Sequence, residues 1–132
     1  MYMLDTNICI YIINRRPPEV LDKFESMNPD ALCISVVTQA ELQYGVEKSS
    51  RPSRNQQVLD EFTSRLIVLP WAPIAAMQYG KIRKRLEKMG TVIGNMDLMI
   101  AAHALSEKHT LVTNNPREFG RVDGLVWENW LL

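Results

Sequence analysis

The sequence predicts a three-layer α/β/α domain on a central parallel sheet. Two observations lead there. Short apolar or β-branched runs alternate with longer stretches of helical period, and strands separated by helices cannot be hairpin neighbours, so each must return to the sheet by a crossover. A chain of 132 residues, 46% hydrophobic and 23% charged, can bury one core of ordinary size, so residues 1–132 are read as a single domain.

The elements follow in order. Tyr2–Leu4 is a strand, and Asp5-Thr6-Asn7 after it supplies cap-competent oxygens for a helix over Ile8–Asn14. A helix over Glu19–Met27 leads to a second strand, Leu32–Ser35. Helices over Val37–Glu47 and Asn55–Arg65 flank a loop at Ser49–Ser53 and precede a third strand, Leu66–Leu69. A long helix, Ile74–Met89, is separated by the Gly90–Asn95 loop from the helix Met96–Lys108. The strand Leu111–Thr113, a helical turn at Pro116–Phe119 and a weak strand at Leu125–Trp127 complete the chain. No repeat, low-complexity segment or linker interrupts this alternation.

Composition excludes several classes. No stretch is long and apolar enough to span a bilayer, and the early Asp5 is unlike a secretory signal, so a cytoplasmic protein is expected. Cys9 and Cys33 lie in apolar surroundings without Cys-x-x-Cys spacing and read as small buried hydrophobes. No glycine-rich phosphate loop points to a nucleotide cofactor. His103 faces away from the apolar stripe of its helix and His109 falls in a loop; neither has an evident nucleophile to serve, and both are read as structural. Trp71, Trp127 and Trp130 read as core or dimer-interface anchors. The formal net charge of +0 decides nothing about nucleic acid, because the placement of charges matters more than their sum.

The acids are more informative. In a parallel α/β sheet the ligand crevice lies beyond the carboxyl ends of the strands, where the strand order reverses. Asp5 ends the first strand, Asn115 and Glu118 follow the fourth, and Asp97 opens the helix that leads into it. Taken singly, each acid has a structural reading. Asp5 is an N-cap. Glu41 closes a capping box, Thr38-Gln-Ala-Glu41; alternatively the helix starts near Val36, and Val37, Ala40, Glu41 and Tyr44 form one core-facing stripe. Asp97, behind a cap at Asn95, suits the helix dipole, yet it shares a stripe with Ile100, Ala101, Ala104 and Leu105. Three carboxylates gathered at one sheet edge would repel one another unless a cation lay between them. Oxygen donors without a histidine–cysteine set favour Mg2+, or Mn2+, over zinc, and such a site suits phosphodiester hydrolysis.

Four blocks carry a resemblance: Met3-Leu-Asp-Thr-Asn7, Glu41-Leu-Gln-Tyr-Gly45, Ile93-Gly-Asn-Met-Asp-Leu-Met-Ile-Ala-Ala-His-Ala104 and Leu111-Val-Thr-Asn-Asn-Pro-Arg-Glu-Phe119. In order and spacing they resemble VapC toxins with a PIN domain, from type II toxin–antitoxin systems. The resemblance implies a PIN-like fold and a Mg2+-dependent endoribonuclease that inhibits translation. Asp5, Glu41 and Asp97 would be its catalytic, metal-binding carboxylates, with Asn7 and Thr113 orienting ligands or water. Many PIN domains have an aspartate where this chain has Asn115. Either Glu118 substitutes, or a second ion binds only when RNA phosphate supplies oxygens, and the number of ions stays open. The resemblance further implies a tRNA substrate, the anticodon loop of initiator tRNA among the most similar sequences. It implies a homodimer and a VapB-like antitoxin that fills the acidic groove and contacts operator DNA on the toxin's behalf. A non-catalytic, antitoxin-binding protein on the same fold is the alternative; an aspartyl-phosphate enzyme fits less well, lacking a paired acid and a closing lysine. Arg15, Arg16 and the basic run Lys81–Lys88 would hold RNA phosphates beside a pocket that itself repels them. Neutralising Arg15 and Arg16 should then weaken RNA binding and flatten its salt dependence.

Overall fold

A computed structural model of the chain describes residues 1–131. Its elements are β1 (Tyr2–Leu4), α1 (Thr6–Ile13), α2 (Pro18–Ser26), a 3-10 turn (Pro29–Ala31), β2 (Leu32–Ser35), α3 (Val36–Glu47), α4 (Pro52–Thr63), β3 (Ile67–Leu69), α5 (Pro73–Met89), α6 (Asn95–Ser106), β4 (Thr110–Val112), α7 (Pro116–Phe119) and β5 (Trp127–Glu128). All strands pair in parallel, in the order β3-β2-β1-β4-β5. The chain builds outward from β1 through β2 to β3, then crosses to the other side of β1 for β4 and β5. The order therefore reverses between β1 and β4, and a crevice opens there.

Each face of the sheet carries its own core, as expected for strands buried on both sides. Leu4, Ile34 and Val112 point to one face, where α1, α2, α3 and α4 contribute Ile8, Phe24, Leu42 and Phe62. Met3, Cys33 and Leu111 point to the other, against Leu86 of α5, Ile100 of α6 and Phe119 of α7. The three layers match the sequence reading.

Several boundaries differ from it, mostly for one reason. Proline occupies the first position of α2, α4 and α5, where its missing N–H is one the helix leaves unpaired anyway. Those helices start one to three residues earlier than hydrophobic periodicity places them, and the loop expected at Ser49–Ser53 gives way to α4 at Pro52. Asn95 is not a cap but the first residue of α6, behind Gly94. The last strand shifts to Trp127–Glu128 because Leu125 is drawn into the core after the left-handed turn at Gly124.

Cys9 and Cys33 are free and buried in the cores on opposite faces of the sheet, which rules out pairing between them. Burial pushes the Cys9 thiol well up and the Cys33 thiol up to about 12. The native protein at pH 8 is therefore expected to react with neither equivalent of a thiol reagent, and with both once denatured. Rapid labelling of the native protein would contradict this packing.

Candidate active site

The crevice between β1 and β4 is lined by Asp5, Thr6, Asn7, Glu41, Asp97, Asn115 and Phe119, around a cavity of about 220 Å3. Each acid arrives there for a local reason. Asp5 leaves β1 in extended conformation and caps α1, its Oδ1 accepting the Ile8 N–H at 2.9 Å. Its backbone N–H reaches across to Val112 O at 3.0 Å, which ties it to β4. The Thr113 hydroxyl, fully buried at the end of β4, bonds the Asp5 carboxylate and accepts the Asn115 N–H at 2.8 Å. One hydroxyl thus fixes Asp5 and the start of the turn into α7.

Glu41 does not close a capping box. Ser35 is the N-cap of α3, its Oγ accepting the Val37 N–H at 3.1 Å, and Thr38 is buried inside the helix. The expected stripe also changes, since Tyr44 is 66% exposed and the buried positions are Val37, Thr38, Leu42 and Val46. Glu41 stands at the edge of that buried face, held by the Thr6 hydroxyl, which donates to Oε1 at 2.6 Å. The sequence shows Thr6 only as one of three successive cap-competent residues, Asp5-Thr6-Asn7, and that excess over the single cap a helix needs is the signal that points to it. Thr6→Val is expected to free Glu41 and lower kcat about tenfold with Tm little changed; equal kcat for the two proteins would remove Thr6 from the site.

Asp97 opens α6, and its stripe of Ile100, Ala101 and Ala104 is buried as expected. Its carboxylate bonds Glu118 of α7, whose Oε1 and Oε2 also accept from the Gly94 N–H at 3.4 Å and Asn115 Nδ2 at 3.3 Å. Asn115 caps α7 through Oδ1. An aspartate there could not donate to Glu118, as Asn115 Nδ2 does.

Electrostatics mark the cluster as strained. Burial, the bond to Glu118, and then the charges of Glu118, Asp5 and Glu41 raise the Asp97 carboxyl to about 8. Glu118 is lowered by the proton that Asp97 shares with it, helped by the Gly94 N–H and the charge of Arg121. Asp5 is raised by burial and by Glu41, against the bonds it receives from Thr113 and the Ile8 and Asn7 N–H groups. At neutral pH the pocket keeps a proton that a divalent cation could replace.

Every polar side chain lining the cavity offers oxygen or amide groups, with no imidazole or thiolate among them, so the donor chemistry fits a hard cation. Among the described residues no three carboxylates close on a common point as a finished metal cage. A cation that retains several waters needs no such cage.

Arg15 and Arg16 do not line the cavity. They follow the far end of α1, roughly 12 Å along the helix from Asp5, and both are exposed. His103, for which the sequence offered no nucleophile, has Ser35 Oγ 2.7 Å from Nδ1 and Glu107 Oε2 2.6 Å from Nε2. Both His103 and Ser35 are fully buried, so this serine–histidine–glutamate line meets no substrate and joins the start of α3 to α6.

With this geometry in view, the comparisons are specific. The family model for the PIN domain matches residues 2–125. Ribonuclease VapC2 of Haemophilus influenzae is 52% identical over 130 residues, 98% of each chain. The tRNA(fMet)-specific endonuclease VapC of Shigella flexneri is 48% identical over 129 residues, 98% of this chain and 97% of the relative. Among solved structures, VapBC2 from Rickettsia felis, bound to a DNA fragment from its promoter, superposes with a TM-score of 0.92 at 46% identity over 98% of both chains. DNA-bound VapBC from Salmonella typhimurium gives 0.92 at 46% identity, covering 98% of this chain and 97% of that one.

Proposed function

The chain belongs to the PIN-domain family, as one of its VapC ribonucleases, and we propose from that premise that its pocket cuts RNA with the help of Mg2+, or Mn2+ in its place. The observation that supports this reading is the meeting of Asp5, Glu41 and Asp97, with Glu118 bonded to Asp97, at the strand-order reversal. When bound, the cation would lower the pKa of water and offset the charge that grows on phosphate oxygens. Asp5, Glu41 and Asp97 would hold it, with Glu118 as the further acid in place of Asn115. The chain's own contribution is placement. Thr113 keeps Asp5 in one orientation, Thr6 keeps Glu41 at the rim, and Glu118 accepts the hydrogen bond of Asp97 while that carboxyl holds its proton. Asn7, exposed on the rim, is available to a phosphate or an ordered water.

The protein is the toxin half of a toxin–antitoxin pair. Its partner is a VapB-like antitoxin whose basic side chain would neutralise the pocket, and operator DNA would be met through that partner. A homodimer is the assembly proposed. The substrate proposed is tRNA, with the initiator anticodon loop as first candidate, on the strength of the Shigella relative's name. No helix among the described residues is long and apolar enough to cross a membrane.

The test is to incubate the purified protein with total bacterial RNA, with and without Mg2+, and to map new ends. Cuts concentrated in tRNA and abolished by a chelator are expected. Cutting that survives chelation would overturn the metal reading; no cutting under either condition would overturn the nuclease reading.

A further inference from the structure

A second cavity, of about 270 Å3, opens between α5 and the start of α6. It has an apolar wall of Leu86, Val92, Ile93 and Leu98 and a polar rim of Arg83, Glu87 and Asn95. The rim and Val92 at the mouth are exposed; Leu86 and Leu98 are buried.

The rim is held in place, which is unusual for exposed polar side chains. The Tyr79 hydroxyl donates to Asn95 Oδ1 at 2.5 Å and accepts from Arg83 Nη1 at 3.0 Å. Arg83 Nε donates to Glu87 at 3.1 Å. Tyr79 packs edge-on against Trp71 at 6.2 Å, and Trp71 Nε1 donates to Met99 O at 3.0 Å. The opposite wall is secured as well, because Arg121 donates to Val92 O at 2.8 Å.

The same bonds decide what faces outward. Asn95 Oδ1 already accepts from Tyr79 while its amide N–H groups stay available to donate, and Arg83 has no acceptor at all. The rim therefore presents the donors of Asn95 and Arg83, with the Glu87 carboxylate tied to Arg83 beside them, above an apolar floor. Glu87 balances the charge of Arg83, so the feature is poorly suited to a phosphate. It suits a flat group with an acceptor-rich edge, the form of an unstacked nucleobase.

The cavity also borders the acids. Asn95 precedes Asp97 by two residues, and Gly94 between cavity and acids donates its N–H to Glu118. A Cβ on Gly94 would meet Asp97 Oδ2 at 3.7 Å.

We propose that this cavity binds one unstacked base of the RNA substrate near the scissile phosphate, with Asn95 and Arg83 reading its acceptor edge. Guanine, through O6 and N7, or uracil, through O4, is accepted; adenine, whose amino group would face the donors, is disfavoured. The inference rests on the ribonuclease reading and adds a specificity-determining subsite to it.

The test uses the full-length protein with Mg2+ and a pool of short single-stranded RNAs randomised around the cut. Mapped ends are compared for the native protein, Asn95→Ala, Arg83→Gln and Val92→Trp, the last of which fills the cavity mouth from an exposed position. The native protein is expected to show a guanine or uracil preference at one fixed position from the cut. Asn95→Ala and Arg83→Gln should lower the preference at that position about tenfold and leave other positions unchanged, with Tm unaltered. Val92→Trp should depress cutting of all substrates through KM. If instead the native protein cuts without base preference beside the scissile bond, or all three variants keep the native profile, the subsite does not exist. Uniform weakening across all sequences in Asn95→Ala and Arg83→Gln would show that these two residues hold phosphate and would also overturn it. Absence of any cutting by the native protein would count against the ribonuclease reading itself. A base preference abolished by Asn95→Ala in metal-free RNA binding, measured by fluorescence anisotropy, would then still support the cavity.

Discussion

Asp97→Asn is expected to reduce RNA cleavage by about a hundredfold to a thousandfold while raising the melting temperature of the metal-free protein at pH 8. The activity loss follows from the role proposed for the carboxylate, since metal-mediated charge stabilisation supplies several kcal/mol of the barrier reduction and each ~1.4 kcal/mol is tenfold in rate. The gain in stability follows from the same pocket. Asp97 is held at about 8 against an ordinary value of 3.8, by burial first and then by Glu118, Asp5 and Glu41. A carboxyl raised on folding binds more protons folded than unfolded between those two pH values, so its contribution is complete below 3.8 and lost as pH rises towards 8. The metal-free native protein should accordingly lose stability across that window, Asp97→Asn should lose less, and Mg2+ or Mn2+ should restore the native protein at pH 8. Melting curves at several pH values, with and without the cation, check all three statements. A variant that cuts RNA normally, or a native protein whose stability ignores both pH and cation, would refute the account of the site.

His103→Leu should produce a loss of stability. In the arrangement that satisfies every group, Ser35 Oγ–H donates to Nδ1 and Nε2–H donates to Glu107. Leucine fills a similar volume but leaves the Ser35 hydroxyl hydrogen without a partner in a core where that residue is 0% exposed. Stranding a buried polar group costs about 1–3 kcal/mol, which in a domain of this size lowers Tm by roughly 5–10 °C. The double variant with Ser35→Ala should lose less than the sum of the two single variants, because removing the hydroxyl sacrifices the α3 cap but leaves no stranded O–H. Urea unfolding of the single and double variants measures both effects. Losses that simply add would show that the pair does not act as a unit.

What the sequence made legible and what it hid divide along physical lines. The layer order was readable because apolar runs of two lengths alternate, and Asp5 and Asp97 were readable because one stands where a strand ends and the other where a helix begins, whereas Glu41 lies in the second turn of α3 and stood out only as an acid on an apolar face. Helix starts were misplaced at Pro18, Pro52 and Pro73 because periodicity cannot see a residue that starts a helix without facing the core. The capping box at Thr38 failed because Ser35 caps one turn earlier, and a cap is chosen by backbone geometry that composition does not reveal. Thr6, the Ser35–His103 pair and the Tyr79–Asn95 bond were hidden for a further reason. Each joins residues distant in the chain, separated by 35, 68 and 16 positions, and only tertiary packing brings them together.

The placement of β1 in the middle of the sheet has a consequence for folding. Asp5 follows β1, yet the hydroxyl that orients it, Thr113, and the acid that accepts Asp97's hydrogen bond, Glu118, follow β4 at the far side of three crossovers. The pocket is incomplete until β4 has slotted beside β1, so its assembly waits on a loop closure of high sequence separation, the slowest kind of contact to form.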